Sequence, residues 1–190
     1  MSIRVIAGNL LKYPTDILIH GCNCFHLMGG GIASQIKNFF PEAYSVDKAT
    51  IYGLPSKLGT ISYTKMSNPT IINAYTQYGY SSRYKQADYD AIRKSFKEIK
   101  QKYTGQLMSI PLIGAGLAGG DWTVILSIIM DELSNENVTI VVWDGDPNVD
   151  QIIKDTQSQL DTPVNVSQST SDNLIHRISI LQKTVKSKTF

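Results

Sequence analysis

Cysteine is scarce in this sequence: Cys22 and Cys24 are the only two among 190 residues. Two cysteines cannot make the framework of bridges that stabilises small secreted proteins, and this pair is too close in sequence for an ordinary disulfide. A chain of this length can bury a core of its own, so neither a disulfide nor a metal is needed for folding. We therefore expect one main domain in a reduced, cytoplasmic setting.

Long apolar runs and a marked excess of one charge are also missing. No segment approaches the ~18 consecutive apolar residues that span a membrane, and the N-terminal residues MSIRVIAGNL do not have the form of a signal peptide. Eighteen basic residues face 16 acidic ones, which gives a formal charge of +2. Nucleic-acid-binding proteins usually have a larger, clustered basic excess. The composition therefore argues against a membrane protein and against a nucleic-acid partner.

Short apolar segments alternate with helical patterns along the first 146 residues. Tyr89, Ile92, Phe96, Ile99 and Tyr103 form one apolar stripe at helical spacing. Strands that are apolar throughout are typical of a sheet covered on both faces. The pattern predicts an α/β protein, a three-layer α/β/α sandwich, with its main domain at residues 1–146. Strands are predicted at residues 3–7, 16–22, 57–64, 70–77, 107–113 and 138–143, and helices after both glycine-rich turns and at residues 42–48 and 89–103.

Residues 147–190 differ in composition and are predicted to be a partly helical C-terminal extension. They are rich in Gln, Ser, Thr and Asp, with a weak helix at residues 149–160. Leu174, Ile178, Leu181 and Val185 then recur at helical spacing. Two heptads fall short of the three or four that predict a coiled coil. The stripe is therefore either a seam for self-association or, as we favour, a helix that packs on the core or on a neighbouring chain.

The run HGCNCFHLMGGGIASQI, His20 to Ile36, permits three interpretations. A zinc site is disfavoured because ligands on one extended segment cannot wrap tetrahedrally around an ion. A nucleophilic Cys22 is disfavoured because a cysteine on a buried strand is commonly an inert apolar residue. We favour an anion-binding loop, since glycine N–H groups and the N-terminus of the following helix can hold a phosphate. Neither a metal nor a cofactor is expected.

A second glycine-rich turn, GAGLAGG, occupies Gly114 to Gly120. Asp121 follows it at a position suited to capping the next helix. Both glycine-rich turns come directly after predicted strands, and ligands of such sheets bind in the crevice outside the carboxyl ends of the strands. The first turn has neither the Walker spacing nor the dinucleotide fingerprint. Two anion-binding loops at one edge suit a ligand that contains a diphosphate.

Taken in order, GNLLKYPTDILIHGCNC, GGGIA, PLIGAGLAGGDW and the closing apolar strand resemble a macrodomain, the ADP-ribose-binding module, over residues 3–143. ILIHGCNC followed by GGGIA is most similar to the ADP-ribose-1″-phosphate phosphatase branch of that family. The resemblance implies a mixed sheet of the macrodomain type and a small-molecule ADP-ribose derivative as the partner. It also implies which residues form the site.

By this resemblance, Asn9 would meet the adenine, although the family often has Asp there, and Trp143 could flank the same ring. Asn23 would hydrogen-bond the distal ribose. His20 matches the histidine that is functionally important in the phosphatase branch and is predicted to be catalytic. The backbone around the distal ribose and the diphosphate would come from two groups of residues: Gly29, Gly30, Gly31 and Ile32, and Gly114, Ala115, Gly116, Leu117, Ala118 and Gly119.

Three departures from the family bear on the reaction. Macrodomains that remove ADP-ribose from glutamate use a Lys on the strand at residues 71–77, which has none here, and an Asp where this chain has Ala118. Many de-ADP-ribosylating macrodomains carry an Asp at the position of Ala33. The predicted function is therefore hydrolysis of ADP-ribose-1″-phosphate. The alternatives are a non-catalytic binder of ADP-ribose or a related NAD-derived nucleotide and, ranked third, a de-ADP-ribosylating hydrolase.

The predicted role of His20 has several chemical forms. Its intrinsic pKa suits proton transfer near neutral pH. It could activate water, protonate the leaving sugar oxygen or accept the phosphoryl group, and the sequence does not choose among these. The structural alternative is a buried histidine bonded to a backbone carbonyl.

Overall fold

A computed structural model describes residues 2–65, 68–81 and 83–162 of the chain. Strands and helices alternate along these residues, as the sequence predicts. The strands are β1 (Ile3–Gly8), β2 (Ile17–Asn23), β3 (Ile61–Tyr63), β4 (Thr70–Gln77), β5 (Leu107–Ile110) and β6 (Asn137–Trp143). The helices are α1 (Gly31–Phe39), α2 (Pro41–Lys48), α3 (Tyr89–Tyr103), α4 (Trp122–Leu133) and α5 (Val149–Asp161), with short 3₁₀ turns at Leu10–Lys12 and Pro55–Lys57.

The strands form one mixed sheet in the order β1-β6-β5-β2-β4-β3. All neighbouring pairs are parallel except β3 and β4, which are antiparallel. Parallel strands need a crossover between them, and the helices supply these crossovers. The carboxyl ends of β1, β6, β5, β2 and β4 consequently lie along the same edge of the sheet.

Both faces of the sheet are covered, and β2 shows why. Ile17 and Ile19 point into the larger core cluster, with residues of α3 and α4, whereas Leu18 between them packs with Ile36 of α1 and Ala43 of α2. Side chains of a strand alternate between its faces, so a strand that is apolar at every position needs a helical layer on each side. The predicted three-layer α/β/α sandwich is confirmed.

Helix α3 illustrates how local sequence sets an element. The side chain of Asp88 accepts a hydrogen bond from the N–H of Ala91 at 2.8 Å and so caps the N-terminus. Ile92, Phe96 and Ile99 are buried on the predicted stripe. Gly105, at φ +81°, follows the C-terminus in the left-handed conformation that glycine adopts readily.

Two predicted strands are shorter than expected. The strand expected at residues 57–64 covers only Ile61–Tyr63, because Pro55 starts a 3₁₀ turn and Gly59 takes φ +85°, which extended pairing does not allow. The strand expected at residues 107–113 ends at Ile110, since Pro111 has no N–H to donate to a sheet. The turn predicted at residues 67–69 is described only at Asn68 and Pro69, which are joined by a cis peptide bond.

Helix α5 belongs to the same compact unit as the sheet, which extends to Leu160 and thus past Asp146. Val149, Ile152, Ile153 and Leu160 pack against the larger core cluster, and the indole N–H of Trp122 donates to the hydroxyl of Thr156 at 2.9 Å. The stripe from Leu174 to Val185 lies outside the described residues. Within the described part of the chain, no helix is long and apolar enough to cross a membrane.

Candidate functional site

The loops after β2 and β5 place both glycine-rich turns at the carboxyl edge of the sheet. The first loop is organised by Asn23, whose Oδ1 accepts from the N–H groups of Phe25 (2.9 Å) and Leu27 (3.3 Å) and whose Nδ2 donates to the carbonyl of Leu27 at 2.7 Å. Asn23 is almost wholly buried. Its amide therefore fixes the shape of the loop that leads to the glycines. The hydrogen bond to a ribose expected of Asn23 stays a prediction.

The three glycines of the first loop lead into α1. Gly30 is the N-cap residue of α1 and, having no side chain, leaves the helix without a side-chain cap. Gly31 has φ +56°, a conformation that side-chain-bearing residues rarely adopt. The first N–H groups of any α-helix have no partner within the helix. Helix α1 therefore presents its N–H groups, with the positive end of its dipole, at this edge.

The second loop is closed by its own backbone. The N–H of Gly120 donates to the carbonyl of Gly114 at 2.9 Å, and Gly114 has φ +75°. A Cβ on Gly120 would lie 2.8 Å from the carbonyl oxygen of Gly114 and 2.9 Å from the Cβ of Ala87, so only glycine fits. The carbonyl of Ala118 accepts from the N–H groups of Gln86 and Ala87 and so ties this loop to the segment after β4.

Asp121 caps α4, as the sequence predicts. Its carboxylate accepts from the N–H of Thr123 at 2.8 Å. The N–H of Asp121 donates to the hydroxyl of Tyr89 at 2.9 Å, which ties the start of α4 to α3. Its side chain thus has a structural role that accounts for an acid at this position.

The two glycine-rich loops meet at Leu117. A terminal carbon of its side chain lies 3.0 Å from the position of a Cβ on Gly30 and 3.4 Å from that of a Cβ on Gly31. Leu117 is nonetheless 72% exposed, so it stands at the surface above the first loop. The two glycine-rich loops therefore come close to one another at this edge of the sheet, and the ligand crevice between them stays a prediction.

Asn9 and Trp143 follow neighbouring strands at the same edge. Gly8 and Trp143 are register partners at the ends of β1 and β6. Trp143 is 63% exposed, and a Cβ on Gly145 would overlap the Trp143 ring, so the glycine allows the indole to pack closely against the backbone. The Oδ1 of Asn9 accepts from the N–H of Leu11 at 3.0 Å. An exposed aromatic face beside a polar turn can take a flat, polar-edged ring.

His20 lies in the middle of β2 and is fully buried, on the face covered by α1 and α2. The amide nitrogen of Asn73 donates to the carbonyl of Ala43 (2.8 Å) and to the hydroxyl of Ser62 (3.0 Å), so its Oδ1 faces His20 as an acceptor. The Nε2 of His20 lies 2.6 Å from this oxygen and carries the proton. Burial lowers the pKa of His20 to about 4. The catalytic role predicted for His20 stays a prediction.

Asn73 is one member of a buried polar network that runs away from His20. The hydroxyls of Ser62 and Tyr75 are 2.8 Å apart, and the Tyr75 hydroxyl donates to Asp47 at 2.8 Å. The ammonium of Lys57 lies 3.1 Å from the same carboxylate oxygen and 4.1 Å from the centre of the Tyr75 ring. Both charged groups are almost fully buried. Burial raises the pKa of Tyr75, so its hydroxyl stays protonated.

The sequence analysis did not predict this buried network, although the pattern of polar residues in β4 indicates it. Asn73 and Tyr75 alternate with apolar residues in an otherwise apolar strand, and His20 stands opposite Asn73 in β2. Polar residues at alternate positions of a buried strand face the same side and need partners. Lys57 also extends toward the first loop, with its ammonium 3.5 Å from the carbonyl of Cys24.

The two cysteines are both buried and free. Burial raises the pKa of Cys22 well above its ordinary value and raises that of Cys24 as well. A thiol held protonated is a poor nucleophile. Among the described residues, no three His, Cys, Asp or Glu side chains are grouped so that they could hold a metal ion.

The profile of the Macro domain family matches residues 19–129, which include both glycine-rich loops. This chain belongs to the Macro domain family. It is 32% identical over 155 residues to a 17.5 kDa protein from the tk-vs intergenic region of Enterobacteria phage T4, covering 76% of this chain and 98% of that protein. The predicted macrodomain resemblance is confirmed.

Two further relatives have names that state an activity. A DNA ADP-ribosyl glycohydrolase of Mycobacterium tuberculosis is 30% identical over 125 residues, covering 61% of this chain and only 34% of that protein. An ADP-ribose 1″-phosphate phosphatase of Aspergillus oryzae is 46% identical over 46 residues, covering 24% of this chain and 23% of that protein. The chain thus spans about a third or less of the length of these two relatives.

Solved structures show the same fold. The macrodomain of Thermus aquaticus DarG has a TM-score of 0.60 at 24% identity and covers 74% of this chain and 97% of that one. Thermosipho africanus DarTG in complex with ADP-ribose has a TM-score of 0.63 at 18% identity, covering 79% of this chain and 44% of that one. At these identities the structures establish the shared macrodomain fold.

Proposed function

We propose that this macrodomain binds ADP-ribose derivatives in the crevice between its two glycine-rich loops. The observation that carries the proposal is the meeting of these loops at Leu117, directly above the glycine-capped N-terminus of α1. A diphosphate between them would receive backbone N–H donors from both sides and lie at the positive end of a helix dipole. The adenine would lie toward Asn9 and Trp143, and the distal ribose toward Asn23.

Isothermal titration calorimetry with ADP-ribose tests the binding proposal. We expect one molecule bound per chain, with AMP binding more weakly because it lacks the second phosphate and the distal ribose. Absence of any heat with ADP-ribose, at concentrations where the chain is folded by circular dichroism, would contradict the proposal.

The reaction that we favour is hydrolysis of ADP-ribose-1″-phosphate. Water would attack the phosphorus, the bond from phosphorus to the 1″ oxygen would break, and a proton would pass to that oxygen, giving ADP-ribose and phosphate. Holding the phosphate oxygens with preorganised donors is most of what such a transfer asks of a protein. The match to the Aspergillus oryzae phosphatase supports this choice over the short segment that it covers. The test is release of inorganic phosphate from the purified chain.

The catalytic role of His20 stays a prediction, and it requires the buried ring to reach the crevice. A positioned acid or base is worth a factor on the order of 10²–10⁴ in rate. His20→Ala should therefore reduce phosphate release by that factor with little change in ADP-ribose affinity. The matched control is Cys22→Ser, which alters a neighbouring buried side chain on the same face of β2. If both variants keep the wild-type rate, His20 is a structural histidine.

A non-catalytic binder is the first alternative, and complete absence of phosphate release beside normal ADP-ribose binding would establish it. Removal of ADP-ribose from DNA is the second, favoured by the match to the mycobacterial glycohydrolase. Removal from glutamate should be poor, because the strand at Ile71 to Gln77 has no lysine and Ala118 replaces an acid. Parallel assays on ADP-ribosylated DNA and glutamate-modified protein separate these activities.

A further inference from the structure

Four aromatic side chains cluster beside the first glycine-rich loop, and we call them the aromatic patch: Phe25, Tyr52, Tyr78 and Tyr80. Phe25 lies at the centre, with ring centroids 5.4 Å from Tyr52, 5.0 Å from Tyr78 and 5.9 Å from Tyr80, each in an edge-to-face arrangement. Tyr52 is 64% and Tyr80 60% exposed. A contiguous exposed aromatic surface on a small domain marks an interaction site.

The patch is held in place by the backbone beneath it. The hydroxyl of Tyr78 donates to the carbonyl of Gly53 at 2.9 Å, and the N–H of Gly53 donates to the carbonyl of Cys24 at 2.9 Å. A Cβ on Gly53 would lie 3.2 Å from the ring of Phe25, so the ring packs directly on this glycine. Three separate segments thus fix the rings relative to one another, and little ordering is needed when a ligand binds.

The sequence segments that carry the patch are basic. From Asp47 to Asp88 the sequence contains no other acidic residue. Lys48 lies just before Tyr52, and Arg83 and Lys85 lie just after Tyr80, with all three exposed. The formal charge of +2 for the whole chain conceals this distribution, because most of the acidic residues lie in α3 and beyond. Aromatic rings interspersed with cations are the combination that holds single-stranded nucleic acid.

The patch also adjoins the loop that follows β2 and leads to the first glycines. Phe25 is two residues from Asn23, and Tyr78 directly follows the end of β4. The N–H of Cys24 donates to the carbonyl of Tyr78 at 3.1 Å, which joins the two loops. Under the proposed function this is the end of the crevice that holds the distal ribose. A group attached to that ribose would emerge next to the patch.

We propose that the aromatic patch is a stacking surface for the bases of single-stranded nucleic acid, with Lys48, Arg83 and Lys85 contacting its phosphates. Ring faces stack on any base, whereas a peptide would need a defined pattern of pockets. The placement beside the distal ribose rests on the proposed function, but the stacking surface itself does not. The expectation against a nucleic-acid partner was based on the small net charge and on the lack of a clustered basic excess in the sequence, and this proposal departs from it.

The test is fluorescence anisotropy with a labelled single-stranded oligothymidylate of about 12 nucleotides. The variant Tyr52→Leu/Tyr80→Leu should bind it at least about tenfold more weakly than the wild type, given the usual worth of base stacking. The control is Phe39→Leu, which removes an exposed aromatic ring from the C-terminal end of α1, the end away from the first glycine-rich loop. Wild-type affinity should also fall as salt is raised.

Calorimetry with ADP-ribose on the same three proteins separates this proposal from the function of the crevice. Both variants should bind ADP-ribose as the wild type does. If the oligonucleotide does not bind the wild type, or binds the double variant equally well, the proposal is overturned whatever the result with ADP-ribose. Patch-dependent binding of labelled peptides, without binding of the oligonucleotide, would assign the surface to a protein partner and would also overturn it.

Discussion

Mild acid should destabilise this protein through His20. The ring is fully buried and bonded to Asn73, and burial lowers its pKa from 6.5 to about 4. At pH values between 4 and 6.5, the unfolded chain binds a proton at His20 that the folded chain does not bind. The contribution of the neutral His20 ring to the free energy of unfolding is therefore complete above pH 6.5 and is lost progressively as the pH falls toward 4.

The size of the effect follows from the same two values. A difference of about 2.5 pKa units (6.5 − 4) corresponds to about 3 kcal/mol, at 1.36 kcal/mol per unit. The ring is fully buried, so no discount for solvent screening applies. Typical domains are stable by about 5–15 kcal/mol, so this loss would be a large part of the total.

Urea unfolding followed by circular dichroism at several pH values between 4 and 7 measures the effect. His20→Gln, which keeps an amide able to bond Asn73, should be less stable at pH 7 but should lose much of the pH dependence. His26→Gln is the matched control: burial also lowers the pKa of His26, but its ring is partly exposed and should contribute less. An unchanged pH slope in His20→Gln, or an NMR titration of His20 with a midpoint near 6.5, would refute the reasoning.

Three further outcomes are expected. Lys57→Met should lower the free energy of unfolding in urea by on the order of 3–5 kcal/mol, because the buried Asp47 carboxylate would be left without its cation. Adding Asp47→Asn to the same chain should restore part of that free energy, and a loss below about 1 kcal/mol in Lys57→Met would show that the ion pair contributes little to stability. Gly31→Glu should abolish ADP-ribose binding in calorimetry while the chain stays folded. Gly31 has φ +56°, which strains any residue with a side chain, and the new carboxylate would repel a diphosphate. Retained ADP-ribose affinity would place the ligand elsewhere. A chain ending at Asp146 should melt at a lower temperature than a chain ending at Thr162, because α5 is removed from the core; equal melting temperatures of the two chains would set the boundary at Asp146.

Much of the fold could be predicted because its signals are local. The stripe of α3, the apolar strands and the two glycine-rich turns each depend on a few neighbouring residues, and the structure has them where the sequence places them. Asp121 was predicted as a cap from its position alone, and it is one. Strand ends were less accurate where a proline or a left-handed glycine stopped the pairing.

The buried network and the aromatic patch could not be predicted because their members come from distant segments. Lys57 and Asp47 form a buried pair only because a 3₁₀ turn and α2 bring them together, and a lysine in sequence normally indicates the surface. Tyr52 and Tyr80 lie exposed in loops around Phe25, a contact between segments that are far apart in the sequence.

The glycine cap of α1 has a consequence for the balance between stability and binding. Helices α3 and α4 each have an aspartate that accepts a hydrogen bond from an N–H of the first turn, whereas α1 has no side-chain cap. Gly30 has ordinary extended backbone angles, and only the flexible end of Leu117 lies near its missing Cβ. Gly30→Ser would therefore let the helix cap itself, making the free protein more stable and the nucleotide a weaker competitor for the same N–H groups. Under the proposed function, glycine at this position forgoes a stabilising cap and couples the folding of α1 to the binding of the ligand.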